Sequence, residues 1–224
     1  TNPTNSSTTL QIGRTHTLTN DFPGYLSNFR ILKGAAQYTA NFTPSTTALT
    51  SIANTSLLTA QSTTIIDNST NNFTITVNGN PNVSIVNPFG ETVSSISNYT
   101  WSANSYGSSA YFDGTGDYLT LSSPSTQLPS LTEDFTIEFW TYKTTAWSDA
   151  TRFFLGGSAT NGTFHMYINT SSSDKMNVLG MSKGCTAPHT CRKGFTARKI
   201  IKIKRSFWFS ELWGFMIADK GLRA

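Results

Sequence analysis

The carboxylates are the first residues in this sequence that could do chemistry. Asp113-Gly-Thr-Gly-Asp117 sets two aspartates four residues apart around two glycines. Asp113 and Asp117 offer oxygen to a calcium ion, but hard cations take six or more oxygens. The competing reading is a hairpin turn in which Gly114 or Gly116 supplies a positive φ and the aspartates satisfy turn amides. The spacing favours the hairpin. Glu133 and Asp134 are adjacent, so in a strand they point to opposite faces, and Glu138 stands alone opposite an apolar stripe. Glycosidic hydrolysis takes two carboxylates flanking the bond, one protonated and one ionised. No such pair is present, and the expectation is a protein that is not an enzyme.

Aromatic rings are the second group. Trp101, Tyr142 and Trp147 are candidate platforms for a sugar, with Trp147 expected in a loop, while Trp140 lies mid-strand and reads as structural. An aromatic face buries apolar area with little loss of entropy. His16, His165 and His189 are scattered, and none sits in a triad-like motif with Ser or Cys. Cys185 and Cys191 are spaced Cys-x5-Cys around His189. Zinc sites show closer pairs and four ligands, so this is a chance pair. The sequons Asn41-Phe-Thr, Asn72-Phe-Thr and Asn161-Gly-Thr are expected by chance in so Asn- and Thr-rich a chain.

These residues must be positioned by strands. The 224-residue chain is rich in aromatics (15 Phe, 8 Tyr, 5 Trp) and only 12% charged. Two-residue alternation runs to about residue 180. In Phe135-Thr-Ile-Glu-Phe-Trp140 it puts Phe135, Ile137 and Phe139 on one face and Thr136, Glu138 and Trp140 on the other. In Thr163–Asn169 it groups Phe164, Met166 and Ile168. Further strands are expected at 10–12, 25–32, 56–60, 73–78, 110–113, 118–121, 153–155 and 176–179. Turn chemistry separates them at Asn78-Gly-Asn-Pro81, Asp113–Asp117 and Asn161-Gly162. No amphipathic helix is legible before residue 183. Many short strands broken at such intervals imply a sandwich or barrel.

Two compositions share the chain. Residues 1–182 hold six Lys/Arg against ten Asp/Glu, a balance of −4, and residues 183–224 hold ten against two, a balance of +8. Asparagine is absent after Lys183. Residues 183–224 are therefore expected to be an atypical basic tail, either out-of-frame sequence or a genuine extension. The run Lys199–Arg205 has charge suited to phosphate backbones or anionic lipid, but neither nucleic acid nor a membrane span is expected: the apolar run 207–218 is too short to cross a bilayer. A start at Thr-Asn-Pro-Thr without Met suggests an excised or incomplete fragment.

Ser109-Ala-Tyr-Phe-Asp-Gly-Thr-Gly-Asp-Tyr-Leu-Thr-Leu121 followed by Asp134-Phe-Thr-Ile-Glu-Phe-Trp140 resembles the opening strands of a laminin-G-like domain of the concanavalin A-like kind. Thr55–Leu58, Asp67–Ser69 and Phe73–Gly79 resemble its lead-in. Gly24-Tyr-Leu-Ser-Asn-Phe-Arg-Ile-Leu-Lys-Gly34, ending in Asn41-Phe-Thr-Pro44, resembles the closing strand and exit loop. The closing piece thus precedes the opening one. The resemblance implies an all-β, antiparallel jelly-roll sandwich with incomplete repeats: 1–50 ends one repeat and 51–182 begins the next. It also implies a non-catalytic recognition module of a tail-fibre or adhesin-like protein, extracellular or on a virion surface. Its partners would be a surface glycan or cell-surface protein and neighbouring repeats, and no cofactor is expected beyond a possible role for calcium. A structural spacer is the alternative. Because jelly-roll termini lie close together, residues 24–33 are expected to pair with 110–121.

Overall fold

The computed structural model describes residues 10–14, 21–40, 42–43, 45–89, 107–121 and 134–144, and beyond these the backbone of strands at 152–155, 164–169, 175–180, 200–207 and 209–219. Among the described residues there is no helix; the regular structure is thirteen strands, all paired antiparallel.

The strands are β1 (Leu10–Ile12), β2 (Pro23–Lys33), β3 (Thr55–Thr59), β4 (Ile75–Asn78), β5 (Asn82–Ser84), β6 (Ser109–Asp113) and β7 (Tyr118–Leu121). They continue with β8 (Phe135–Lys143), β9 (Arg152–Leu155), β10 (Phe164–Asn169), β11 (Lys175–Gly180), β12 (Ile200–Phe207) and β13 (Phe209–Asp219). The large sheet runs β12-β13-β8-β2-β6-β5, with β3 also on β2. A small sheet runs β1-β7-β4, and a third runs β11-β10-β9. The basic segment after residue 183 thus contributes two strands, and Leu212–Asp219 pair with Tyr142–Phe135.

One core joins the large sheet to the small one, a sandwich-like arrangement. Leu10 and Ile12 of β1 and Leu119 and Leu121 of β7 pack in the same cluster as Leu26, Phe29, Ile31, Leu57, Phe112, Phe135, Ile137 and Phe139. Alternation explains which residues of β8 enter: Phe135, Ile137 and Phe139 go in, as expected from their spacing. Phe29 stacks on Phe139 at 5.3 Å between centroids, and Phe22 meets Phe112 edge-on at 6.1 Å.

The central strand breaks strict alternation. Leu26 and Asn28 would share a face with Arg30, which would drive an amide and a guanidinium into the core. Instead the register against β8 shifts between Ser27 and Arg30, and Asn28 takes φ 55°. Asparagine tolerates this left-handed geometry better than most residues. The bulge turns Leu26, Phe29 and Ile31 inward. It is held from all sides: the Asn28 amide N–H donates to the Ala60 carbonyl, its side-chain Oδ1 accepts from the Leu49 N–H at 2.6 Å, and its Nδ2 donates to Ser27 Oγ. At this residue β2 exchanges its neighbour. Pro23–Leu26 pair with Asp113–Ala110, and Phe29–Leu32 pair with β3. The pairing expected between 24–33 and 110–121 is therefore present only in part: 23–26 of β2 meet 110–113 of β6, whereas 118–121 pair with β1 and β4 in the small sheet.

Candidate functional site

The Asp113–Asp117 segment is a sheet corner where a hairpin was expected. β6 belongs to the large sheet and β7 to the small one, and the two do not pair. The β1–β2 and β4–β5 connections cross between the same sheets, so corners from three parts of the chain meet at one end. Asp117, buried, ties two of them: its Oδ2 accepts from the Asp113 N–H at 2.9 Å and its Oδ1 from the Asn80 N–H at 2.7 Å. Asp113 Oδ1 accepts from the Thr115 N–H at 2.7 Å. Gly114 and Gly116 have φ of 87° and 79°, as the turn reading requires. Asp21 links in the third corner, accepting from the Gly116 N–H at 2.6 Å while pairing with Arg14. The Arg14 guanidinium lies 4.4 Å from the Tyr118 ring centre. Its pKa is raised, chiefly by the hydrogen bond to Asp21. Both Asp117 oxygens and Asp113 Oδ1 thus accept backbone amides, and among the described residues no group of three His, Cys, Asp or Glu is arranged to hold a metal.

One strand step from these corners, on the outer face of the large sheet, three tyrosines stand in a row. Register aligns them: Asn82 of β5 faces Tyr111 of β6, Tyr111 faces Tyr25 of β2, and Tyr25 faces Tyr142 of β8. The Tyr25 centroid is 4.9 Å from Tyr111 and 5.8 Å from Tyr142, with planes inclined by 43° and 39°. Each ring is partly exposed, and Asn82 and Asp113 beside them are exposed. The row runs across the strands, so the strand spacing of about 4.8 Å sets the pitch of the rings. Burial pushes the Tyr25 phenol pKa up, and Tyr111 and Tyr142 add to the effect. A row of this kind offers partly exposed aromatic surface edged with hydroxyls, suited to a ligand that is apolar on its faces and polar at its rim.

Farther along the same face the sheet is covered by the segment between β2 and β3. Arg30 and Glu138 form an ion pair there, their side chains 5% and 4% exposed. Arg30 Nε donates to Glu138 Oε1 at 2.6 Å, Nη1 donates to the Thr50 carbonyl, and the Tyr38 hydroxyl donates to Glu138 Oε2. Thr136 is bonded to the same segment, accepting from the Gln37 N–H and donating to the Ala35 carbonyl. Glu138 is therefore a clamp for the covering segment. Trp140 is buried, with Phe89 edge-on at 5.8 Å, in keeping with its structural reading.

Of the sugar-stacking candidates, Tyr142 lies in the tyrosine row; Trp101 and Trp147 lie outside the described residues, as do Cys185, Cys191, His16 and His189. The backbone of His165 pairs with Leu179 in β10. Tyr25 and Tyr111 were not singled out from the sequence. Both occupy outward positions of alternating strands, a signal shared with many polar positions, and only the pairing of segments far apart brings them beside Tyr142. No described helix is long and apolar enough to cross a membrane. Comparison of the chain with family models, with curated proteins and with solved structures found no match in any of the three.

Proposed function

We propose that this chain is a non-catalytic recognition module that binds surface carbohydrate through the Tyr111–Tyr25–Tyr142 row. The observation that carries the reading is the register: three rings from separate strands are brought level and left partly exposed. A sheet fixes them rigidly, so little side-chain entropy is lost on binding. The row contains one of the candidates read from sequence, Tyr142, and borders the corner end. The laminin-G-like jelly-roll reading, with β2 as a closing strand against β6 and β8, is supported by the resemblance of 109–140 and 24–34 and by the shared core. The resemblance implies a fibre or adhesin-like protein outside the cell as its setting.

The test is a glycan array with the intact chain and with Tyr142→Ala. Reproducible hits lost in Tyr142→Ala, with an unchanged melting temperature, are the expected result. No hit on any glycan would remove the proposal and leave the spacer reading.

A further inference from the structure

We infer that the tyrosine row takes an internal stretch of an uncharged, linear polysaccharide lying across the strands, rather than a terminal sugar or an anionic chain. The inference depends on the carbohydrate-binding reading above and specifies its ligand.

Three observations carry it. The first is shape. Three rings at centroid separations of 4.9 and 5.8 Å form a row across three strands that is longer than one sugar ring, open at the β5 end where Asn82 is exposed. A terminal-sugar pocket is concave and closes around one ring. A row level across neighbouring strands is a track that successive rings of one chain can occupy. The second is charge. Asp113, exposed, lies two residues beyond Tyr111 on the same face and opposite Pro23. Arg14 and Arg30 are engaged elsewhere, with Asp21 and with Glu138. An anionic chain would meet the Asp113 carboxylate beside Tyr111, while register puts the backbone of Arg205 two strands beyond Tyr142. The third is the polar edge. Phenol hydroxyls along the row and the Asn82 amide at its end supply both donors and acceptors, as the neutral hydroxyls of a sugar require.

The experiment is calorimetric titration of the intact chain with neutral gluco-, manno- and xylo-oligosaccharides from one to six residues, in low and high salt. Expected are no measurable binding of monosaccharides, affinity that climbs with length and then levels off, and no dependence on salt. Tyr25→Ala, at the centre, should lose at least roughly tenfold, and more than Tyr111→Ala or Tyr142→Ala at the ends. Tyr25→Phe, which keeps the ring, should retain most of the affinity, and the same variant guards against loss through misfolding. A monosaccharide that competes as well as the hexasaccharide would overturn this inference while leaving carbohydrate binding intact. So would binding confined to uronic or sulfated chains and abolished by salt. Absence of binding to any neutral or anionic glycan would overturn both.

Discussion

Replacing Glu138 by Ala would expose how much of the sheet depends on one buried ion pair. The carboxylate accepts from Arg30 through Oε1 and from the Tyr38 hydroxyl through Oε2. Without it, Arg30 keeps only the Thr50 carbonyl among these partners, and a guanidinium that is 5% exposed is left with no counter-charge from that residue. Orphaning a buried polar group costs about 1–3 kcal/mol, more when it is charged. Breaking one side of a buried pair costs about 3–5 kcal/mol, and that is the expected loss. It would be a fifth or more of the roughly 5–15 kcal/mol typical of a folded domain. Urea unfolding followed by tryptophan fluorescence would read it as a lower midpoint. The double variant Arg30→Met with Glu138→Leu should recover most of the loss, because removing both charges also removes their desolvation penalty. The single variants Arg30→Met and Glu138→Leu complete a cycle with the double variant and the unchanged chain, and its coupling energy isolates the pair. A loss under about 1 kcal/mol for Glu138→Ala would mean that the pair behaves like a solvated surface contact, and the account of the covering segment would be refuted.

Three further predictions concern the corners and the phenols. Gly79→Ala should destabilise the chain by about 1–3 kcal/mol, since Gly79 has φ 76° and an added Cβ would lie 2.3 Å from Asp117 Oδ1 and 2.7 Å from the Gly116 carbonyl oxygen; an unchanged unfolding midpoint would contradict the packing of the two corners. Millimolar calcium should leave Tm where it is, because Asp117 spends both oxygens on backbone amides, and a rise in Tm that Asp117→Asn abolishes would restore the metal reading. Stability should fall as pH climbs above about 10. Burial raises the Tyr38 and Tyr25 phenols, aided by Glu138 and by the neighbouring tyrosines respectively. The folded chain then holds protons that the unfolded chain has lost, and stability declines with pH in that window. Thermal melts between pH 8 and about 11 should show a shallower decline for Tyr38→Phe, and an identical slope would count against its burial.

Local order was legible along the chain wherever two-residue alternation coincided with glycine punctuation. Phe135, Ile137 and Phe139 declared a face because their polar neighbours alternate with them, and the glycines at 114 and 116 declared a turn because few other residues adopt its backbone angles. Tertiary structure decided what the turn connects: a corner and a hairpin have the same local chemistry, and only strand pairing shows that β6 and β7 enter different sheets. It also decided the face of β2, since Asn28 permits a bulge but does not compel one, and burial of Phe29 and Ile31 selects it. Arg30 finds Glu138 across 108 residues, and Tyr25 finds Tyr111 and Tyr142 through strand register alone. Periodicity is a property of neighbours in the chain and can be read there. A site assembled from distant strands exists only once the core has set which strand lies beside which.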